Sequence, residues 1–505
     1  MSQAETQGAG FLDAVKHGDV TIREKLGKTV GTKNAEKVKE TEEGMEALIK
    51  VLLGEGFQPD KSNFRKTIQK AKAAIDARLA AQINEILHNE AFQKLESAWR
   101  GLHYLCQNTA TDETLKIKVL NCPRQELYDN LESNSGAMWD KSELYKKLHR
   151  DQFSQPGGEP FGALIGDYYF DHSHQDVQML QWISGVCASC HCPFISAVNP
   201  SVMGLDSWEE LQDLDNVSLQ LDSKKHAAWK DLRKSEDSRF LALTMPRFLA
   251  RMPYGDKGQK VNAFAFEEDV AGAKHDRFVW GNAAYAMGVN ITRAFRESGW
   301  TVQIRGKEAG GEVQNLPVYT FETSDGDVDA KCPTEVPIDQ RREAELSNNG
   351  LMPLVWWKGE PNAAFVGGQT LREAEKWSTS EANSNEKLGT RLPYIFACSR
   401  FAHFLKKMCY DKIGAIKRDG EDWSSAVGVK NTLQKWINMY VEPNPGMVSM
   451  EQLAEKPLAA AEVVVNADPD DPGVYDAQFF LRPHFQLEGV NVALSLAAKL
   501  PSQAG

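Results

Sequence analysis

The sequence predicts a mixed α/β (α+β) protein with helices packed on mixed sheets. Three observations lead there: helix-period and strand-period stretches alternate along 505 residues, the composition is that of a globular core, and the C-terminal stretch is rich in β-formers. Hydrophobic residues make up 42% and charged residues 25%, which is incompatible with wholesale disorder. The formal net charge of -12 argues against a broad nucleic-acid footprint, which needs a concentrated basic face. The opening "MSQAETQGAG" lacks the cationic and apolar regions of a secretory signal, and no apolar run reaches the roughly 18–20 residues of a membrane helix. A cytoplasmic chain without membrane insertion is expected.

Taken in order, residues 1–10 read as a tail, and "FLDAV" (11–15) sets Phe11, Leu12 and Val15 on one helical stripe between polar stretches. From 44 to 106 the apolar spacing is helical, with Met45, Leu48 and Leu52, then Phe64 to Ile86, then Phe92, Leu95, Trp99, Leu102 and Leu105. Strands are expected at "LKIKVL" (115–120), "FGALIGDYYF" (161–170), "FISAV" (194–198), "TVQIRG" (301–306) and "LMPLVWW" (351–357). Helices are expected at 174–190, 278–297, 392–418 and 425–440. "AAAEVVVNA" and "YDAQFFLRPHF", separated by the turn-forming "DPDDPG" (468–473), predict a hairpin with a third strand near 489–497. So small a sheet exposes its edges unless another chain covers them. The expected division is an N-terminal arm (1–58), an outer α/β domain (59–195), a middle α/β domain (196–380) and an inner domain (381–505).

The search for chemistry is mostly negative. No phosphate-cradling G-x-x-x-x-G-K-[ST], no G-x-S-x-G and no H-E-x-x-H occurs. "DGDVDAK" (325–331) hints at a calcium loop, but Ala330 stands where the turn glycine belongs and Val336 where the glutamate belongs, which favours a polar hairpin. His172 and His174 lack a nearby third ligand. "GVCASCHCPF" (185–194) gathers Cys187, Cys190, His191 and Cys192, residue types that bind zinc. The alternative is a wall: apolar spacing from Val177 to Cys187 makes this a helix that Pro193 stops before a buried strand, with cysteines as small packing residues.

Several stretches together resemble one family, the large subunit of the type VI secretion contractile sheath (TssC or VipB). They are "EILHNEAFQKLESAWRGLHYL" (85–105), "SEDSRFLALTMPRFLARMPYG" (235–255), "VWGNAAYAMG" (279–288), "PTEVPI" (333–338), "LPYIFACSRFAHFLKK" (392–407) and "LRPHFQLEGVNVALSL" (481–496). The resemblance implies a structural protein with no enzymatic activity and no cofactor, and cysteines that stand in for small packing residues. It implies pairing with a small sheath subunit (TssB/VipA-like) that shares the outer domain (59–195), polymerisation with copies of itself around an Hcp tube that the inner domain (381–505) faces, and attachment to a baseplate. Contraction would draw on two packings of the same subunits rather than on a nucleotide.

The resemblance also implies residue roles. C-terminal strands would form an intermolecular sheet with partner subunits through Val463, Val464, Val465, Phe479, Phe480, Leu481, His484, Phe485, Gln486 and Leu487. A charged helix would face the tube with Lys406, Lys407, Lys412, Lys417 and Arg418. Phe11, Leu12 and Val15 would be recognised by the AAA+ unfoldase ClpV after contraction. A sheath subunit of a related contractile injection particle and a zinc-dependent enzyme are the alternatives.

Overall fold

The computed structural model describes residues 64–484 apart from Pro156 and the stretches 271–273, 323–325, 413–416, 419–420 and 468–474, together with Gly44 and Ala47. Contacts divide the chain into two units, residues 1–89 with 253–269, and residues 90–252 with 270–505. In the smaller unit, helix α1 (Phe64–Leu87) is tied to the loop near its end. The Asn84 amide donates to the Glu267 carbonyl at 3.3 Å, and the Asp269 N–H donates to its oxygen at 2.9 Å.

The larger unit runs through α2 (Glu90–Gln107), α3 (Arg124–Ser133), β1 (Leu164–Phe170), α4 (His174–Cys190), β2 (Phe194–Val198), β3 (Leu241–Met245) and α5 (Ala283–Ser298). It continues through β4 (Glu312–Val313), β5 (Leu351–Trp356), β6 (Ala363–Phe365), α6 (Leu392–Asp411), α7 (Ala426–Ile437), β7 (Leu458–Ala467) and β8 (Tyr475–Pro483). Six strands form one sheet in the order β1-β2-β3-β5-β6-β4. The first four are parallel; β6 is antiparallel to β5 and to β4. Strands β2 and β3 are buried over their whole length, as unbroken apolar runs such as "FISAV" require when both sheet faces are covered.

Alternation along those strands assigns each face. Phe194, Leu241 and Leu243 meet Val177, Leu180, Ile183 and Cys187 of α4, while Ile195 and Ala242 meet Ala283, Ala286 and Met287 of α5. A second core joins Trp300, Phe401 and Leu405 to Val429 and Leu433 of α7 and to Val463, Phe479 and Leu481 of the terminal hairpin. Helix α2 crosses α5 closely enough that a Cβ on Gly101 would lie 2.3 Å from the Tyr285 ring, so only glycine fits there. β2 straddles the boundary drawn at residue 195, and the sheet takes strands from both sides of it.

Two expected strands are corrected. Among the described residues, 115–120 pair with no strand, and 301–306 contribute only an isolated bridge between Arg305 and Gly310. Helix α5 begins at 283 rather than 278, because Asn282 caps it by accepting from the Ala284 N–H and residues 280–281 pair with 248–249 instead. Helix α6 stops at 411 rather than 418, and Lys417–Arg418 pair with Glu421–Asp422. Helix α7 ends at 437 and tightens into a 3-10 turn over 438–440. The residues around "DGDVDAK" form the polar hairpin, with 320–322 opposite 328–330. The expected strand at 489–497 and most of the first helix of the 44–106 stretch lie outside the described residues.

Candidate assembly surfaces

The cysteine cluster is the end of α4. The His191 N–H donates to the Ala188 carbonyl at 3.2 Å and the Cys192 N–H to the Cys187 carbonyl at 3.0 Å, while His191 takes a left-handed φ of 51°. This is a Schellman ending, which brings residues 187 and 192 together by backbone geometry alone. Cys187 joins the core beneath the sheet, and Cys190 and Cys192 pack with Leu148 and Val186. Burial pushes the Cys190 thiol up to about 12 and those of Cys187 and Cys192 well above the usual thiol range, so all three stay protonated and poor as ligands. Among the described residues no group of three or more His, Cys, Asp or Glu is arranged to hold a metal ion. Native protein treated with a maleimide is expected to lose the exposed Cys106 thiol promptly and to keep Cys187 and Cys192 until it is denatured. Modification of either in the native state, read by peptide mass spectrometry, would overturn the wall.

The terminal hairpin is the second surface. Val463 lies opposite Phe479, Val464 opposite Gln478, Val465 opposite Ala477 and Ala461 opposite Leu481. Val463, Phe479 and Leu481 point into the core, whereas Val464, Val465 and Phe480 are half-buried. The His484 N–H donates to the Pro457 carbonyl at 2.8 Å, which closes the open end of the hairpin. Phe485, Gln486 and Leu487 lie outside the described residues.

The two edges of this ribbon differ. Gln434 on α7 accepts from the Val463 N–H at 2.8 Å and donates to the Ala461 carbonyl at 2.9 Å, so its amide occupies the β7 edge as a strand would. The Glu442 N–H donates to the Leu458 carbonyl at 2.7 Å on the same strand. Among the described residues no strand pairs with the far edge of β8. Since Val463 directs its backbone outward, its opposite Phe479 does too, and with it Ala477 and Leu481, because pairs alternate along an antiparallel ladder.

The α6 lysines are dispersed. Lys406 donates to the Ser189 carbonyl at 3.3 Å, at the C-terminal end of α4 where a cation is favoured, and lies 5.3 Å from the Phe153 ring centre. The neighbouring His403 donates to the Cys190 carbonyl at 2.9 Å, and burial lowers its pKa to about 4. Lys407 is half-buried, and Lys412 is paired with Glu421 at 2.8 Å. Lys417 and Arg418 sit on a short two-residue strand. Phe11, Leu12 and Val15 lie outside the described residues. Helix α2 departs from the expected core face: Leu95 and Trp99 are 57% and 66% exposed. Sequence reasoning missed the Gln434 edge closure, because a glutamine on a helix carries no local mark of what it will face.

The comparisons agree in direction. Residues 69–372 match the EvpB/VC_A0108 tail sheath N-terminal domain, and residues 381–500 match the tail sheath gpW/gp25-like domain of that family. The chain is 51% identical over 437 residues to the type VI secretion system sheath protein TssC1 of Pseudomonas aeruginosa, covering 86% of each. Against a chain of the anti-feeding prophage baseplate it reaches a TM-score of 0.35 at 11% identity, over 76% of this chain and 84% of that one. So loose a structural likeness adds no argument.

Proposed function

The chain belongs to the EvpB/VC_A0108 family of type VI secretion sheath large subunits, and on that premise we propose that it pairs with a small sheath subunit, polymerises around an Hcp tube and contracts to drive that tube outward. The 51% identity spanning both tail sheath domains carries this reading. The family is structural, and the work of contraction is then the free-energy difference between two packings, summed over many subunits.

The geometry supports a division of labour. The far edge of β8, unpaired among the described residues and with outward backbone groups at Ala477, Phe479 and Leu481, suits backbone pairing with a neighbour's strand, a joint that persists while flanking segments rotate. Strand pairing through residues 463–465, 479–481 and 484–487 therefore centres on β8, with β7 as its support. Tube contact is assigned to the α6 region, Lys406, Lys407, Lys412, Lys417 and Arg418, and unfoldase recognition to Phe11, Leu12 and Val15. The division into an arm (1–58), an outer domain (59–195), a middle domain (196–380) and an inner domain (381–505) is part of this proposal. The protein would work in the bacterial cytoplasm, attached to an envelope-anchored baseplate; among the described residues no helix is long and apolar enough to cross a membrane.

Co-expression with the neighbouring small-subunit candidate, followed by negative-stain electron microscopy, tests the reading. Hollow tubules are the expected result; discrete particles with no bound partner would overturn it. The same preparations test the two further assignments. Reversing the charge of Lys407 should reduce tube capture without loss of heterodimer, and serine at positions 11 and 12 should abolish unfoldase binding to contracted tubules; unchanged capture or binding would remove the corresponding assignment.

A further inference from the structure

The terminal ribbon has two edges, and the chain treats them unequally. Backbone groups at Ala461, Val463 and Val465 point out of the β7 edge, by the same alternation that sets Ala477, Phe479 and Leu481 on the β8 edge. Three hydrogen bonds cover the β7 edge from 458 to 463. The Glu442 N–H donates to the Leu458 carbonyl at 2.7 Å, where Val441 and Leu458 form a parallel bridge. Farther along, the Gln434 side chain accepts from the Val463 N–H at 2.8 Å and donates to the Ala461 carbonyl at 2.9 Å. A primary amide repeats the donor and acceptor of a peptide group, so this one side chain stands where a strand would lie.

The amide is also fixed in orientation. A carbonyl only accepts and a backbone N–H only donates, so Ala461 and Val463 together determine which end of the amide is which. Its nitrogen donates in addition to Asn438 Oδ1 at 2.8 Å, one turn further at the end of α7. Leu433 and Ile437 of the same helix are buried in one core with Leu458 and Val463, which holds α7 against the ribbon. Gln434 itself is half-buried at the rim of that core. Water satisfies backbone groups at an open edge nearly as well, so folding alone does not call for an amide there.

An open β7 edge would instead cost specificity. A ribbon open on both edges adds strands on either side, and two copies can join edge to edge about a two-fold axis, which closes the assembly at a dimer. A helical polymer needs a heterologous joint, in which an edge never meets its own copy. Blocking one edge rejects the wrong pairing.

We infer that Gln434, positioned by Asn438, is the specificity determinant of the strand joint: it bars other chains from the β7 edge and confines strand addition to the β8 side of the ribbon. The inference rests on the sheath reading and adds to it the residue that sets the side on which subunits interlock.

Tubule assembly by the co-expressed heterodimer carrying Gln434 variants tests this. Gln434→Met keeps the side-chain length and removes both edge bonds. It should leave heterodimer recovery unchanged, speed exchange of the Val463 amide by at least about fivefold, and lower tubule yield by at least about threefold, the missing material appearing as irregular self-associated particles. Gln434→Lys loses the Val463 bond equally but sets a charge across the edge. It should restore yield to within about twofold of wild type while Val463 still exchanges fast. Failure of lysine to restore yield would make Gln434 a merely structural residue and overturn the inference. Full tubule yield from Gln434→Met, or slowing of the outward Val465 amide when wild-type tubules form, would overturn it too and leave the sheath reading standing. If Gln434→Met melts more than a few degrees below wild type, Asn438→Ala decides, since Asn438 is exposed and outside the core: a lowered yield supports the inference and a full yield overturns it. Absence of tubules from the wild-type heterodimer would overturn the sheath reading and the inference with it.

Discussion

Glu335→Ala is expected to cost about 3–5 kcal/mol of folding stability, the range for breaking a buried ion pair by removing one partner. The carboxylate side chain is only 1% exposed. It accepts from the Arg247 side chain at 2.6 Å, from the Arg247 N–H at 2.8 Å and from His275 Nε2 at 2.8 Å. Burial by itself would raise its pKa, but the Arg247 charge and the His275 and Arg247 bonds outweigh that and hold it at about 2, against an ordinary 4.5. A folded pKa below the unfolded one means that the stabilisation is complete above about 4.5 and is lost as pH falls toward 2. A shift of that size corresponds to about 3 kcal/mol, in line with the mutational range. Denaturant midpoints of the co-purified complex at neutral pH, and their decline between pH 5 and the acid limit, check both statements. Glu335→Gln, which keeps shape and loses charge, should lie between wild type and alanine. A midpoint unchanged by the alanine variant would show that the three partners rearrange at no cost. The residue falls in "PTEVPI" and Arg247 in the "TMPRFLARMPYG" stretch, so this ion pair joins two of the segments that carry the family resemblance.

The second large effect concerns assembly rather than folding. Ala477→Pro should reduce tubule yield by at least about tenfold while leaving the melting temperature of the heterodimer within a few degrees of wild type. Ala477 lies opposite Val465, a pair whose backbone groups point away from each other by the alternation that Val463 and Gln434 establish. Proline there removes an outward N–H and spares the bonds between β7 and β8. The contrasting variant is Gln478→Pro, opposite Val464, which removes an inward donor and should unravel the hairpin and lower stability. If Ala477→Pro tubules form as well as wild type, the far edge of β8 is not the joint between subunits. A loss of tubules with both variants, together with a lowered melting temperature for both, would equally remove the edge argument, since the effect would then be one of folding.

Much of the fold is legible in the sequence. Helix α4 follows from its apolar spacing and from Pro193, and β2 from an unbroken apolar run after it; the hairpin follows from two β-rich stretches about a turn. These are local properties, set by periods of 3.6 and 2 and by residues that cannot continue an element. The negative results for phosphate and metal motifs are local too. Helix boundaries were less legible: α5 begins five residues after the expected start, behind its Asn282 cap, because 280–281 pair with residues more than thirty positions earlier.

What only the tertiary structure decided is which groups meet across long separations. Arg247 and Glu335 are 88 positions apart, Gln434 and Val463 are 29 apart, and nothing in either local stretch marks the partner. Cys187 and Cys192 read from sequence as possible ligands, and the Schellman ending and burial made them wall. Residues 115–120 show the division most clearly. Their composition determines an extended conformation, since side-chain alternation and β-branching act within the segment. Among the described residues no strand pairs with them, since pairing needs backbone groups far away in the sequence, of which the segment holds no local record.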